Sequence, residues 1–128
     1  MAAVPETPYE RIGGEPVVRN VVERFYERMD SDPAVGPLRA MHAADLGPMR
    51  DRLGDFMVGW LGGPPLYSKR PDARCMGQAH AAFANDASIR DQWLSCMRGA
   101  LEGEGIAPDL QGIILEALGR MTEAMRNR

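Results

Sequence analysis

The sequence predicts an all-α fold, and three observations carry that prediction. Apolar residues recur three and four positions apart along nearly the whole chain, the spacing that lines one face of a helix. No stretch shows the strict two-residue alternation of a half-buried strand. Clusters of Gly, Pro, Asn and Asp cut the periodic runs at "IGGE", "DSDPAVGP", "GGPP", "NDAS" and "GEGIAPD", and these residue types end helices and build turns. Five or six helices of unequal length are expected in a single domain spanning residues 1–128, with residues 1–8 loosely ordered.

"TPYERIGG" reads as one short turn of helix, capped by Thr7, with Pro8 at its first position and Gly13-Gly14 as its stop. Val17, Val18, Val21, Val22, Phe25 and Met29 then give a second helix one broad apolar face. Its β-branched run would suit a strand, but its bounds favour helix. "DSDPAVGP" ends it with turn chemistry. Leu46, Met49, Leu53, Phe56, Met57, Trp60 and Leu61 form the stripe of a third helix, closed by Gly62-Gly63-Pro64-Pro65. From Pro64 to Arg74 there is no period, so this segment reads as a loop long enough to suggest a function. A short helix carrying His80 and Phe83 follows, and "NDAS" then supplies caps for the next. Ile89, Trp93, Cys96, Met97, Ala100 and Leu101 form that helix's inner face. Leu110, Ile113, Ile114, Ala117, Leu118, Met121 and Met125 form that of the last.

Composition narrows the function. A chain of 128 residues with 45% hydrophobic and 26% charged residues has enough apolar side chain for one sizeable core. The net charge of -3 is spread along the chain, which gives no footprint for nucleic acid and no basic face for an anionic membrane. No apolar run approaches a bilayer span. "MAAVPETPYE" lacks the positive start and apolar core of a secretory signal, so a cytoplasmic protein with Cys75 and Cys96 reduced is expected. Neither a C-x-x-C nor a C-x-x-C-H motif occurs, so neither a zinc ribbon nor covalent haem attachment is written here.

A few polar side chains fall among these apolar stripes. Tyr26 lies at the edge of the second helix's face and Trp93 on the inner face of the fifth, and each carries a donor that wants a partner when buried. Either one alone reads equally as an amphipathic core residue. His80 stands isolated in "CMGQAHAAFAN". It is either a core histidine satisfied by a backbone carbonyl or a neutral imidazole ligating a metal. A lone histidine cannot hold zinc, which needs roughly three or four protein ligands. It can hold a haem iron, because the porphyrin supplies the equatorial donors. The spacings of His42, Cys75, His80 and Cys96 match no zinc pattern. Cys75 has only Arg74 nearby to activate it, and Cys96 reads as a buried structural thiol.

Blocks running from Tyr9 to the closing "MRNR" resemble the truncated globins, group II. They are "YERIGGE", "VVERFYERMDSDP", "LRAMHAADL", "FMVGWLGGPPLYS", "HAAF" and "RDQWLSCMRGAL". The resemblance implies a two-over-two helical sandwich around one haem b (iron protoporphyrin IX). It matches His80 to the proximal iron ligand. Tyr26, His42, Met49, Leu53 and Trp93 match the distal ligand pocket, and Phe25, Phe56, Tyr67 and Phe83 match haem contacts. The family pattern R-H-x-P-F is broken here, because Ala79 and Ala82 stand in place of the arginine and the proline. The arginine that would pair with a haem propionate is therefore missing there, and Lys69, Arg70 or Arg74 are its nearest substitutes.

The resemblance implies a five-coordinate iron that binds O2, CO or NO, with the Tyr26 hydroxyl and Trp93 indole donating to the ligand. Oxygen binding, transport or sensing, and redox detoxification as a peroxidase or nitric-oxide dioxygenase, are all compatible with such a site. Redox turnover would draw on an external electron donor. A haem-free helical module with an apolar cavity is the alternative from a different class. The protein is expected as a monomer or homodimer.

Overall fold

The computed structural model describes residues 6–71, 73 and 86–127. They form α1 (Pro8–Ile12), α2 (Glu15–Ser31), a 3₁₀ turn (Pro33–Val35), α3 (Gly36–Ala40), α4 (Gly47–Trp60), α5 (Ala87–Gly103) and α6 (Pro108–Ala124). No strand occurs among the described residues. The predicted short helix with His80 and Phe83, together with Cys75, lies outside them.

Local chemistry sets most helix ends. The Thr7 side chain accepts the Glu10 N–H at 3.1 Å, with Pro8 in the first turn of α1. Asp86 caps α5 by accepting the Ile89 N–H at 2.8 Å. After α4 the chain turns through Gly62 at φ 109°. There the Gly63 N–H reaches the Val58 carbonyl at 2.8 Å and the Gly62 N–H reaches that of Gly59 at 3.1 Å. This paired closure needs a left-handed residue, which glycine adopts without a Cβ clash. Gly105, at φ 72°, closes α5 in the same way.

Two local expectations change. "DSDPAVGP" is more than a turn: Asp32 caps the 3₁₀ turn by accepting the Ala34 N–H at 2.9 Å, and α3 follows directly. Five residues are too few to show a period, and Pro37 in a first helical turn starts a helix as readily as it breaks one. Ile113, read as part of the inner stripe of α6, is instead 51% exposed. Neighbouring residues point about 100° apart on a helix. Ile114, Leu110 and Leu118 take the interior in its place.

α2 and α4 pack as one pair, α5 and α6 as the other, and α2 lies against α5 to join them. Phe25, Met29, Met57, Met97, Leu101, Ile114 and Leu118 fill the shared interior. Each such side chain stabilises the fold by about 1.5–3 kcal/mol on burial. Ion pairs lie around this core: Arg11–Asp109 joins α1 to α6 at 2.7 Å, and Arg24–Glu104 joins α2 to the end of α5, also at 2.7 Å.

Candidate functional site

Phe25 and Tyr26 are neighbours on α2, and both are buried because the α2 face is broad enough to cover α4 and α5 at once. The Phe25 ring, fully buried, meets Tyr26 edge-on with centroids 4.9 Å apart and meets Trp93 of α5 at 5.0 Å. His42, just past the end of α3, stands edge-on to Tyr26 at 6.3 Å. Four residues from three separate stretches of the sequence therefore form one aromatic wall.

The Tyr26 side chain is 2% exposed. Burial pushes its phenol above the ordinary tyrosine range, and the positive charge of Arg50 offsets only part of that rise. The phenol is therefore neutral at physiological pH and keeps its proton to donate. Its oxygen lies 3.4 Å from the Met49 carbonyl oxygen on α4, long for an O–H···O bond. Arg50 follows Met49 and pairs with Glu23 of α2 at 3.5 Å.

Met49, Leu53, Phe56 and Trp60 lie along one face of α4, and Ile89 and Trp93 along one face of α5. All six are partly buried, while Met57, Val58, Met97 and Ala100 beside them are fully buried. Large apolar side chains left partly uncovered beside a buried hydroxyl suit a flat apolar group whose polar centre needs a donor. Phe56 also receives Tyr67 edge-on at 5.7 Å, which brings the loop after α4 onto that face.

Asp55, next to Phe56, is a second centre of order. It accepts Arg19 of α2 and Arg70 of the loop, each at 2.6 Å. Burial raises its carboxyl, but the hydrogen bonds and charges of the two arginines together outweigh this and hold it below the usual carboxylate range. Arg70, a candidate substitute for the missing propionate arginine, is thus engaged by Asp55. Lys69 is exposed, and Arg74 lies outside the described residues.

The predicted residues Phe25, Tyr26, His42, Met49 and Trp93 come together, Leu53 lies one turn beyond Met49, and Phe56 and Tyr67 form a separate pair. His80 and Phe83 are outside the described residues. Cys96 is 2% exposed, and burial, with the charge of Asp32, pushes its thiol up to about 11, so it is a structural thiol and not a nucleophile. Among the described residues no group of three or more His, Cys, Asp or Glu side chains could hold a metal ion. Sequence reading missed Arg50 and Asp55, whose only local signal is a charge beside an apolar stripe.

The sequence pattern of the family described as bacterial-like globin matches residues 7–127. The chain belongs to the bacterial-like globin family. This globin is similar to the group 2 truncated hemoglobin YjbI of Bacillus subtilis (strain 168), with 31% identity over 121 residues, covering 94% of this chain and 89% of that protein. Its fold superposes on the group II 2-on-2 hemoglobin from Agrobacterium tumefaciens with a TM-score of 0.91 at 35% identity, covering 99% of this chain and 98% of that one. A cold-adapted truncated hemoglobin from Pseudoalteromonas haloplanktis TAC125 gives a TM-score of 0.91 at 34% identity, covering 96% and 99%. The two helix pairs are therefore the two-over-two sandwich of the truncated globins. Family membership carries with it haem-based binding of small diatomic ligands such as O2. No helix among the described residues is long and apolar enough to cross a membrane.

Proposed function

We propose that this globin is a b-type haem protein that binds oxygen reversibly, with His80 as the proximal ligand and Tyr26 and Trp93 as donors on the distal side. The observation that carries this reading is the buried, neutral Tyr26 phenol, packed with Trp93 around Phe25 and held only loosely by the Met49 carbonyl. Haem, when bound, supplies an iron centre for the diatomic ligand. Met49, Leu53 and Phe56 of α4 supply apolar walls that exclude water, and Phe25, Tyr67 and Phe83 are assigned as further contacts.

The Tyr26 hydroxyl can leave its long bond to Met49 and point its proton at a ligand atom carrying partial negative charge. The Trp93 indole N–H can only donate and adds to the same field. A hydrogen bond to a charged acceptor is worth about 1.5–3 kcal/mol. At about 1.4 kcal/mol per factor of ten, one such bond slows ligand escape roughly ten- to a hundred-fold.

Absorption spectra of the purified protein in ferric, ferrous and carbonyl forms, with and without added haem, test the reading. An intense near-ultraviolet haem band is expected, and His80→Ala should abolish or greatly weaken it. A protein that takes up no haem, or a His80→Ala variant with an unchanged spectrum, refutes the assignment.

A further inference from the structure

His42 is held through a backbone group that is itself held from another helix. Leu38, 3% exposed, lies in the first turn of α3, where amide N–H groups have no partner within the helix. Its N–H is accepted by the side-chain Oε1 of Gln92 at 3.0 Å. Gln92 sits on α5 directly before Trp93, and its Nε2 donates to the Ser88 Oγ at 3.1 Å. The Leu38 N–H can only donate, so it fixes Oε1 as the end of the amide that faces it, and the Ser88 hydroxyl accepts the other end. On the other side of the same residue, the Leu38 carbonyl accepts from the Met41 N–H at 3.2 Å and from His42 Nδ1 at 2.9 Å.

A carbonyl oxygen only accepts, so Nδ1 of His42 carries the proton. In the neutral ring Nε2 is then the basic nitrogen. Neutral imidazole in water favours the opposite tautomer, so the protein must impose this one. If Gln92 no longer held the Leu38 amide, that buried N–H would lose its acceptor, α3 would shift, and the carbonyl that selects the tautomer would shift with it.

We infer that Gln92 is a positioning residue of the distal side: through the Leu38 peptide it fixes His42 in the Nδ1–H form against Tyr26. The consequence deepens the oxygen-binding reading and rests on it. A neutral His42 in this tautomer offers an acceptor at Nε2 and not a third donor. Ligand stabilisation is left to Tyr26 and Trp93. The α5 sequence thus sets two distal features with adjacent residues, Trp93 directly and His42 through Gln92.

Long-range ¹H–¹⁵N spectra of the histidine rings in the full-length ferrous carbonyl protein, recorded where the rings are neutral, test this. The chain has two histidines, and the His42 signals are assigned by their loss in His42→Phe. Wild type should show the Nδ1–H pattern. Gln92→Met, which keeps the length but removes the acceptor, should lose that pattern, and Gln92→Glu, which keeps an acceptor, should retain it. An Nε2–H ring in wild type, an unchanged ring in Gln92→Met, or a ring altered equally in Gln92→Glu overturns the inference. Failure of the haem assignment appears separately, as a missing haem band. The tautomer can then still be read on the same full-length chain as purified.

Discussion

Arg19 crosses α4 at Gly54: a β-carbon at that glycine would overlap the Arg19 Nη1, and the guanidinium beyond it reaches Asp55 at 2.6 Å. A small residue on one helix thus lets a long cation on another lie flat and pair with the next position. Arg28 of α2 lies across Gly99 of α5 in the same manner. Gly54→Ala should displace the arginine from Asp55 and lower stability by about 1–2 kcal/mol, since a lost charged hydrogen bond costs about 1.5–3 kcal/mol and alanine's better helix propensity returns about 0.5–1 kcal/mol. The loss should shrink in an Asp55→Asn background, because the bond it breaks is already weakened. Urea unfolding of the four proteins measures it, and equal losses in both backgrounds would show that Gly54 serves some other contact.

Asp55 also sets a pH dependence. Its carboxyl is held below the ordinary range in the folded state, so the unfolded chain takes up its proton first as pH falls. The stabilisation is complete above the unfolded value of about 3.9 and is lost as pH drops through the lower folded value. Asp55→Asn should therefore flatten the acid limb of the stability curve below about pH 4, while wild type and variant keep a constant difference near neutrality. Parallel curves throughout the acid range would separate Asp55 from that limb.

Tyr26→Phe keeps the edge-on packing with Phe25 and deletes the donor. Oxygen dissociation measured by stopped flow should accelerate by about ten- to a hundred-fold, since one hydrogen bond to a charged acceptor is removed. An unchanged rate would take ligand control away from Tyr26 and leave it with Trp93.

Cys96 is buried with its thiol pushed up to about 11. In a Cys75→Ser variant, which leaves Cys96 as the one thiol, a disulfide reagent should react at neutral pH only as fast as the protein opens, and at once after unfolding. The raised value also means that the folded state keeps a proton the unfolded state gives up. Stability therefore falls as pH rises from the unfolded value, about 8.5, towards 11. Cys96→Ala should remove part of that alkaline decline. Immediate labelling of the native protein would contradict the burial.

Much of this was legible in the residues. The run Val17–Met29 showed the face that α2 buries, and "NDAS" showed where α5 begins, because caps and apolar periods act over a few residues. Tyr26 and Trp93 stood out for a similar reason, as polar groups inside apolar stripes. The five-residue α3 and the outward turn of Ile113 were not legible, since neither length nor a broad stripe resolves them.

By itself the sequence determined the helical class, most of the helix breaks and the family blocks, all of which depend on spacing along the chain. Only the tertiary structure decided that Arg70 goes to Asp55, that Gln92 holds the Leu38 amide, and that His42 carries its proton on Nδ1. The physical reason is that a long polar side chain takes its partner from whichever acceptor the packed helices bring within about 3 Å. Gln92 and Leu38 are 54 positions apart, a separation at which no local pattern relates them until α3 has docked against α5.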